Sequence, residues 1–205
     1  VLLRIDILIK RQKILITGRV QGVGFRPAVY RIAVELGLTG FIYNDTSGVT
    51  IELQGQENKI SLFILQLNSE PYKPPLAHIE TLKVTEIPLI EDEKEFVIQA
   101  SDSRGVPISH ITADTATCKD CLNEMRDEKD FRFGYPFINC TNCGPRYSII
   151  KNIPYDRPNT TMSVFAICDK CAAQYTDVTN RRFHAQPVAC ATCGPKVWLT
   201  GNNGR

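Results

Sequence analysis

The sequence predicts an α+β protein: a ferredoxin-like βαββαβ domain, then a small zinc-bound domain of two tandem four-cysteine fingers. Two observations carry this. Over the first hundred or so residues, runs of period-two hydrophobicity alternate with helical-period runs in the order β-α-β-β-α-β, with a short final edge. Beyond them lie all eight cysteines, in four Cys-x-x-Cys pairs: Cys118/Cys121, Cys140/Cys143, Cys168/Cys171 and Cys190/Cys193. Without a secretory signal, pairs of this spacing point to zinc rather than disulfides. The expected division is a first domain over 1–101, a linker over 102–112, the fingers over 113–197 and a tail over 198–205 leading to domains absent from this chain.

In order, Ile14, Ile16 and Val20 alternate with small or polar residues as a half-buried first strand. Gly18-Arg-Val-Gln-Gly-Val-Gly-Phe-Arg-Pro27 follows as a glycine-punctuated loop, and Ala28–Leu36 then sets Val29, Ile32, Ala33 and Leu36 on one helical face. Gly37 stands where a C-terminal cap belongs. A second strand spans Thr39–Asn44, and Asp45-Thr-Ser-Gly48 turns the chain into a third with Val49, Ile51 and Leu53 inward. Gly55 is expected to end that strand and Asn58 to cap a second helix, Lys59–Leu67. Tyr72–Leu76 reads as a rigid connector. Ala77–Ile87 alternates with a slip between Ile79 and Leu82, and Phe96 and Ile98 mark the last strand.

Composition excludes several classes. With 22% charged and 43% hydrophobic residues the chain is an ordinary globular sequence. A net charge of +2, with 12 Lys/Arg against 14 Asp/Glu up to residue 114 and 12 against 8 after it, gives no bulk case for nucleic acid or membrane. No apolar run has the ~20 residues of a membrane span, and Arg4 and Asp6 interrupt the apolar N-terminus. The expectation is a cytoplasmic protein, and a first residue of Val rather than Met fits a piece of a longer one.

The strand–loop–helix at Gly18–Pro27 is the first candidate site. Such a loop can turn consecutive N–H groups toward an anion at a helix N-terminus. Arg26, where loop meets helix, can grip two oxygens of a phosphate or carboxylate.

The cysteine half is an internal repeat. Cys118-x2-Cys121-x18-Cys140-x2-Cys143 recurs as Cys168-x2-Cys171-x18-Cys190-x2-Cys193 at an offset of 50, with Cys-Gly-Pro closing both copies. Four thiolates make a closed tetrahedral site with no open position for a catalytic water, so two structural zinc ions are expected. Pairing within each copy closes the shorter loops; crossed pairing stays open. Arg132-Phe-Gly-Tyr-Pro-Phe137 and Arg181-Arg-Phe-His184 mix basic and aromatic residues as nucleic-acid surfaces do, although packing in a small core explains the aromatics equally. Tyr155-Asp-Arg157 reads as an ion-paired turn or an inter-domain contact, and His184 as a surface or docking residue.

Gly18–Arg26 resembles the acylphosphatase signature, and Asn44 lies where that family keeps its catalytic asparagine. Gly40-Phe-Ile-Tyr-Asn-Asp45 and Gly48-Val-Thr-Ile-Glu-Leu-Gln-Gly55 extend the likeness over about residues 12–100. With Pro136–Arg146, Pro154–Arg157 and Arg182–Pro187, the chain is similar to the N-terminal part of the carbamoyltransferases of [NiFe]-hydrogenase maturation. The resemblance implies that backbone amides of Gln21, Gly22, Val23, Gly24, Phe25 and Arg26, with the Arg26 side chain, bind phosphate while Asn44 orients the attacking water. It implies carbamoyl phosphate as substrate. It also implies ATP, used in domains absent here, and a partner maturation protein whose C-terminal cysteine accepts the carbamoyl group on the way to cyanide ligands. The alternatives are a non-catalytic anion-binding module and a nucleic-acid-binding zinc protein.

Overall fold

A computed structural model describes residues 8–104 and 110–201. The expectations for 1–7, for 105–109 of the linker and for 202–205 of the tail lie outside the described residues. The first half consists of β1 (Ile9–Arg19), α1 (Phe25–Glu35), β2 (Thr39–Asn44), β3 (Val49–Gln56), α2 (Glu57–Leu67), β4 (His78–Ile87) and β5 (Phe96–Ile98). The strands lie in the order β4-β1-β3-β2-β5, antiparallel except for β5, which adds to β2 in parallel. This is the expected ferredoxin-like sheet with one further edge. Inward residues alternate along β1 and β3, so Ile14, Ile16, Ile51 and Leu53 are buried. They meet Val29, Ile32 and Ala33 of α1 and Ile60, Phe63 and Leu67 of α2 in one apolar layer.

Four local expectations shift. β1 reaches back to Ile9, because Arg11 is buried between Glu52 at 3.0 Å and Glu93 at 2.6 Å and extends the ladder. β3 continues through Gly55 to Gln56, which pair with Lys10 and Ile9, so Gly55 does not end it. Gln56 is then the N-cap of α2, and Asn58 lies in the first helical turn. The α1 helix starts at Phe25 rather than Ala28, with Gly24 as its N-cap. The slip read in β4 is present: pairing with β1 jumps between Thr17–Thr81 and Gly18–Ile79, a bulge at Glu80. Gly37, at φ 63°, closes α1 with Leu38 N–H on the Ala33 carbonyl and Gly37 N–H on that of Val34, the Schellman pattern.

The second half is two copies of a knuckle–helix–knuckle unit. Helices α3 (Lys119–Arg126) and α4 (Asp169–Thr176) each start directly after the first cysteine of their copy. Between the copies run two short 3-10 helices, Arg157–Asn159 and Thr161–Val164. Among the described residues, no helix is long and apolar enough to cross a membrane.

Candidate anion site between the two halves

The loop after β1 is shaped by two left-handed glycines, Gly22 at φ 71° and Gly24 at φ 77°. Both also admit a close neighbour: a Cβ at Gly22 would press the Arg146 side chain and the Tyr155 ring, and one at Gly24 would meet Thr141. Among the described residues, the N–H groups of Gln21–Arg26 find no hydrogen-bond acceptor, so a row of donors opens at the N-terminus of α1. The Gln21 side chain is structural. Its amide donates to the carbonyls of Asp45 and Gly48, both at 2.7 Å, and accepts from the Tyr155 N–H at 2.9 Å. Asp45 holds the β2–β3 turn. Burial works against its charge, but hydrogen bonds from Ser47, Thr50 and Gly48 keep its carboxyl below the usual range.

Arg26 and Asn44 meet in this loop, both buried. Hydrogen bonding assigns the Asn44 amide: with its oxygen toward Arg26 it accepts from Nε at 3.2 Å and Nη2 at 3.1 Å. Arg26 also donates to Ser101 Oγ at 3.2 Å, and its Nη2 is ion-paired with Asp156 at 2.5 Å. Asp156 comes from the segment between the fingers, so the Tyr155-Asp-Arg157 motif is at once ion-paired and inter-domain. A cavity of about 20 Å³, room for a single water, remains among Gly24, Arg26, Asn44, Thr141, His184 and Gln186.

Sequence reasoning missed the finger contribution to this cavity. Arg146 is 2% exposed; its Nε donates to the Gly22 carbonyl, and its other nitrogens donate to the carbonyls of Cys140, Thr141, Cys143 and Pro145. One side chain thus ties the first finger's knuckle to the phosphate-type loop. His184, expected in a surface or docking role, lines the cavity. Its ring packs at a tilt on Tyr175 at 5.1 Å and meets Phe183 edge-on at 4.6 Å. Burial, with Arg26 adding to it, lowers its pKa to about 4, so it is neutral at pH 7. The second finger also grips α1, where Arg31 donates to the Val178 carbonyl at 2.9 Å and Tyr30 packs on Phe183 at 5.6 Å. A signal existed: at the repeat offset of 50, Arg146 corresponds to Lys196 and His184 to Gly134, so the copies diverge where they face the loop.

The eight thiols form two clusters, Cys118/Cys121/Cys140/Cys143 and Cys168/Cys171/Cys190/Cys193, with all sulfurs of each within 4.8 Å of one another. Adjacent sulfurs lie 3.5–3.8 Å apart, against about 3.8 Å for a tetrahedron with zinc–sulfur bonds of ~2.3 Å. The sets fit zinc and follow within-copy pairing. Of the three arginines in the basic-aromatic stretches, Arg132 and Arg182 are buried, each in the opposite finger. Arg132 donates to the Ala189 carbonyl at 2.8 Å, to Gln174 at 2.7 Å and to Cys171 Sγ at 3.2 Å. Arg182 makes the corresponding set, to the Asn139 carbonyl at 2.9 Å, Glu124 at 2.5 Å and Cys121 Sγ at 3.8 Å. Every partner is displaced by the repeat offset, so the fingers are related by an approximate twofold and exchange arginines. Four thiolates on Zn²⁺ carry two net negative charges, which a buried guanidinium offsets.

A ferredoxin-like sheet with an arginine at the end of its glycine loop and an asparagine beside it at the end of β2 defines the acylphosphatase class, here closed over by a pair of four-cysteine fingers. Residues 12–98 match the acylphosphatase family, and residues 117–150 and 167–200 each match the HypF finger. The acylphosphatase of Ligilactobacillus salivarius is 40% identical over 81 residues, 39% of this chain and 88% of that protein. Carbamoyltransferase HypF of Synechocystis sp. is 46% identical over 158 residues, 77% of this chain and 20% of that protein. A full-length HypF, solved in a phosphate- and nucleotide-bound form, superposes with a TM-score of 0.87 at 48% identity, covering 92% of this chain and 25% of that one. The chain belongs to the acylphosphatase family through its first half, carries two HypF fingers after it, and over most of its length is similar to HypF carbamoyltransferases. It spans about a fifth of the length of the HypF relatives it matches.

Proposed function

We propose that this chain hydrolyses an acyl phosphate, with carbamoyl phosphate as the substrate. The row of free N–H donors from Gln21 to Arg26, ending on the Arg26 guanidinium with Asn44 beside it, carries the reading. The phosphoryl oxygens take the amides and Arg26, while Asn44 orients a water in line with the scissile bond. Water oxygen attacks phosphorus, the bond from phosphorus to the bridging oxygen breaks, and its electron pair leaves on carbamate. One water proton stays on the phosphate product and the other passes to bulk water. Because carbamate is a good leaving group, positioning and charge stabilisation suffice without a general base. The fingers, loaded with structural zinc, hold the loop through Arg146. In the larger reaction of the family, the carbamoyl group passes with ATP to the C-terminal cysteine of a partner hydrogenase-maturation protein, toward cyanide ligands.

Phosphate release from carbamoyl phosphate tests the reading. Arg26→Ala is expected to lower kcat/KM at least ~10²-fold, the scale of losing one preorganised donor at ~2.7 kcal/mol. Asn44→Ala should lower kcat with little change in KM. Unchanged rates in both variants would defeat the proposal, and phosphate binding without release would leave an anion-docking module.

A further inference from the structure

His184 sits in left-handed backbone at φ 55°, a conformation that costs a non-glycine residue free energy. Its counterpart in the other copy, Gly134, adopts the same conformation at φ 65°. The two make the same hydrogen bond, Gly134 N–H to the Met125 carbonyl at 2.8 Å and His184 N–H to that of Tyr175 at 2.9 Å. The turn therefore asks for glycine in both fingers, and only the copy facing the anion site has a side chain there. That side chain lines the cavity with Arg26 and Asn44. On the same guanidinium lies the Asp156 carboxylate, 2.5 Å from Arg26 Nη2. The turn does not require the histidine, which replaces a relaxed glycine there, and the acidic group that joins the two halves does so on the arginine that an anion needs.

We propose that Asp156 and His184 form the acyl end of the site and select a carbamoyl group by its amino hydrogens. This rests on the acyl-phosphate reading above. When a phosphoryl group takes Arg26, Asp156 loses its cation and faces a second negative charge. An acyl group bearing N–H donors restores a partner for the carboxylate, and the neutral imidazole that lines the cavity with Arg26 offers one acceptor nitrogen for the second hydrogen. Acetyl phosphate places a methyl group in the same volume and leaves the carboxylate desolvated and unmatched. Sites built to hydrogen-bond an N–H reject analogues lacking it far more strongly than apolar pockets reject a change of size. The selecting groups come from the fingers, while the phosphate loop comes from the sheet domain.

The test compares kcat/KM for carbamoyl phosphate and acetyl phosphate in the zinc-loaded chain. Wild type should favour carbamoyl phosphate, and Asp156→Ala should lower that ratio at least ~10-fold by losing the first substrate and gaining the second. Asp156→Asn, which keeps the shape and one acceptor, should fall between. His184→Gly restores the residue that the other finger uses, so it should fold at least as stably while its ratio falls. A merely structural role would move both substrates together. Equal changes on the two substrates, with folding and two bound zinc ions retained, would overturn the selection while leaving hydrolysis standing. Absence of phosphate release from either substrate in wild type would overturn both.

Discussion

The sheet domain and the finger domain are held by different means. Among the described residues, the first half buries eighteen apolar side chains in one cluster spanning β1–β3, α1 and α2. The two finger cores bury seven and four residues, five of them cysteines. At the scale of ~1.5–3 kcal/mol per fully buried aliphatic or aromatic side chain, the first set can hold a small domain and the second cannot. What the fingers lack in apolar area they recover from metal coordination and from Arg132 and Arg182 crossing between copies. The difference teaches how an anion site can be divided. The sheet, rigid in its own right, carries the loop, and the finger pair, rigid only when assembled, closes over it.

The largest test is metal removal. Structural zinc contributes about 10–16 kcal/mol in small finger peptides at neutral pH, more than most domains have in total. Chelation should abolish hydrogen-exchange protection in α3 and α4 while amides of β1 and β3 stay protected. Protection lost from both halves together would break the comparison. Next in size is Arg182→Ala, which strips a buried cation from the Asn139 carbonyl and from the partly exposed Glu124 carboxylate, which keeps Arg181 as a partner. A loss of about 3 kcal/mol, the low end for a removed member of a buried ion pair, is expected in denaturant unfolding. Ile51→Ala, in the centre of the sheet core, should cost ~2–5 kcal/mol and leave zinc affinity unchanged, which a competition titration with a chromogenic chelator would show.

The smallest effect is a pH dependence. His184 is held near pKa 4 in the folded chain and titrates near its ordinary 6.5 when unfolded. The unfolded state therefore binds more protons between those values. Stability from the neutral imidazole is full above about pH 6.5 and lost as pH falls toward 4. Thermal midpoints across that window should decline more steeply in wild type than in His184→Gly.

Most of the fold was legible because its signals are local. Alternation at Val49, Ile51 and Leu53, the i, i+3, i+4 face of α1 and the 50-residue cysteine repeat each declare themselves within a short window. The anion loop and Asn44 were legible by resemblance, and the structure brings Arg26 and Asn44 into contact. What escaped was the finger half of the cavity. Asp156 is 130 residues from Arg26 in sequence and Arg146 is 124 from Gly22, and no periodicity reports contacts at such range. Basic-aromatic composition left two readings open at Arg132 and Arg182, since a buried guanidinium on a thiol sulfur and a carbonyl oxygen has the same sequence appearance as an exposed one on phosphate. Asymmetry inside the repeat, Gly134 against His184 and Lys196 against Arg146, was the remaining clue.

The division of the site also sets an order in time. A chain made from its N-terminus at about 5–20 residues per second completes the Gly22–Arg26 loop before any finger exists. The roughly 88 residues from Ile98, where β5 completes the sheet, to Gln186 then take about 4–18 s to appear at that rate. Through that interval the nascent sheet domain presents the loop uncovered, like a free-standing acylphosphatase. Selectivity is therefore a late acquisition of biosynthesis, reached when the last cysteine pair emerges and the second finger closes.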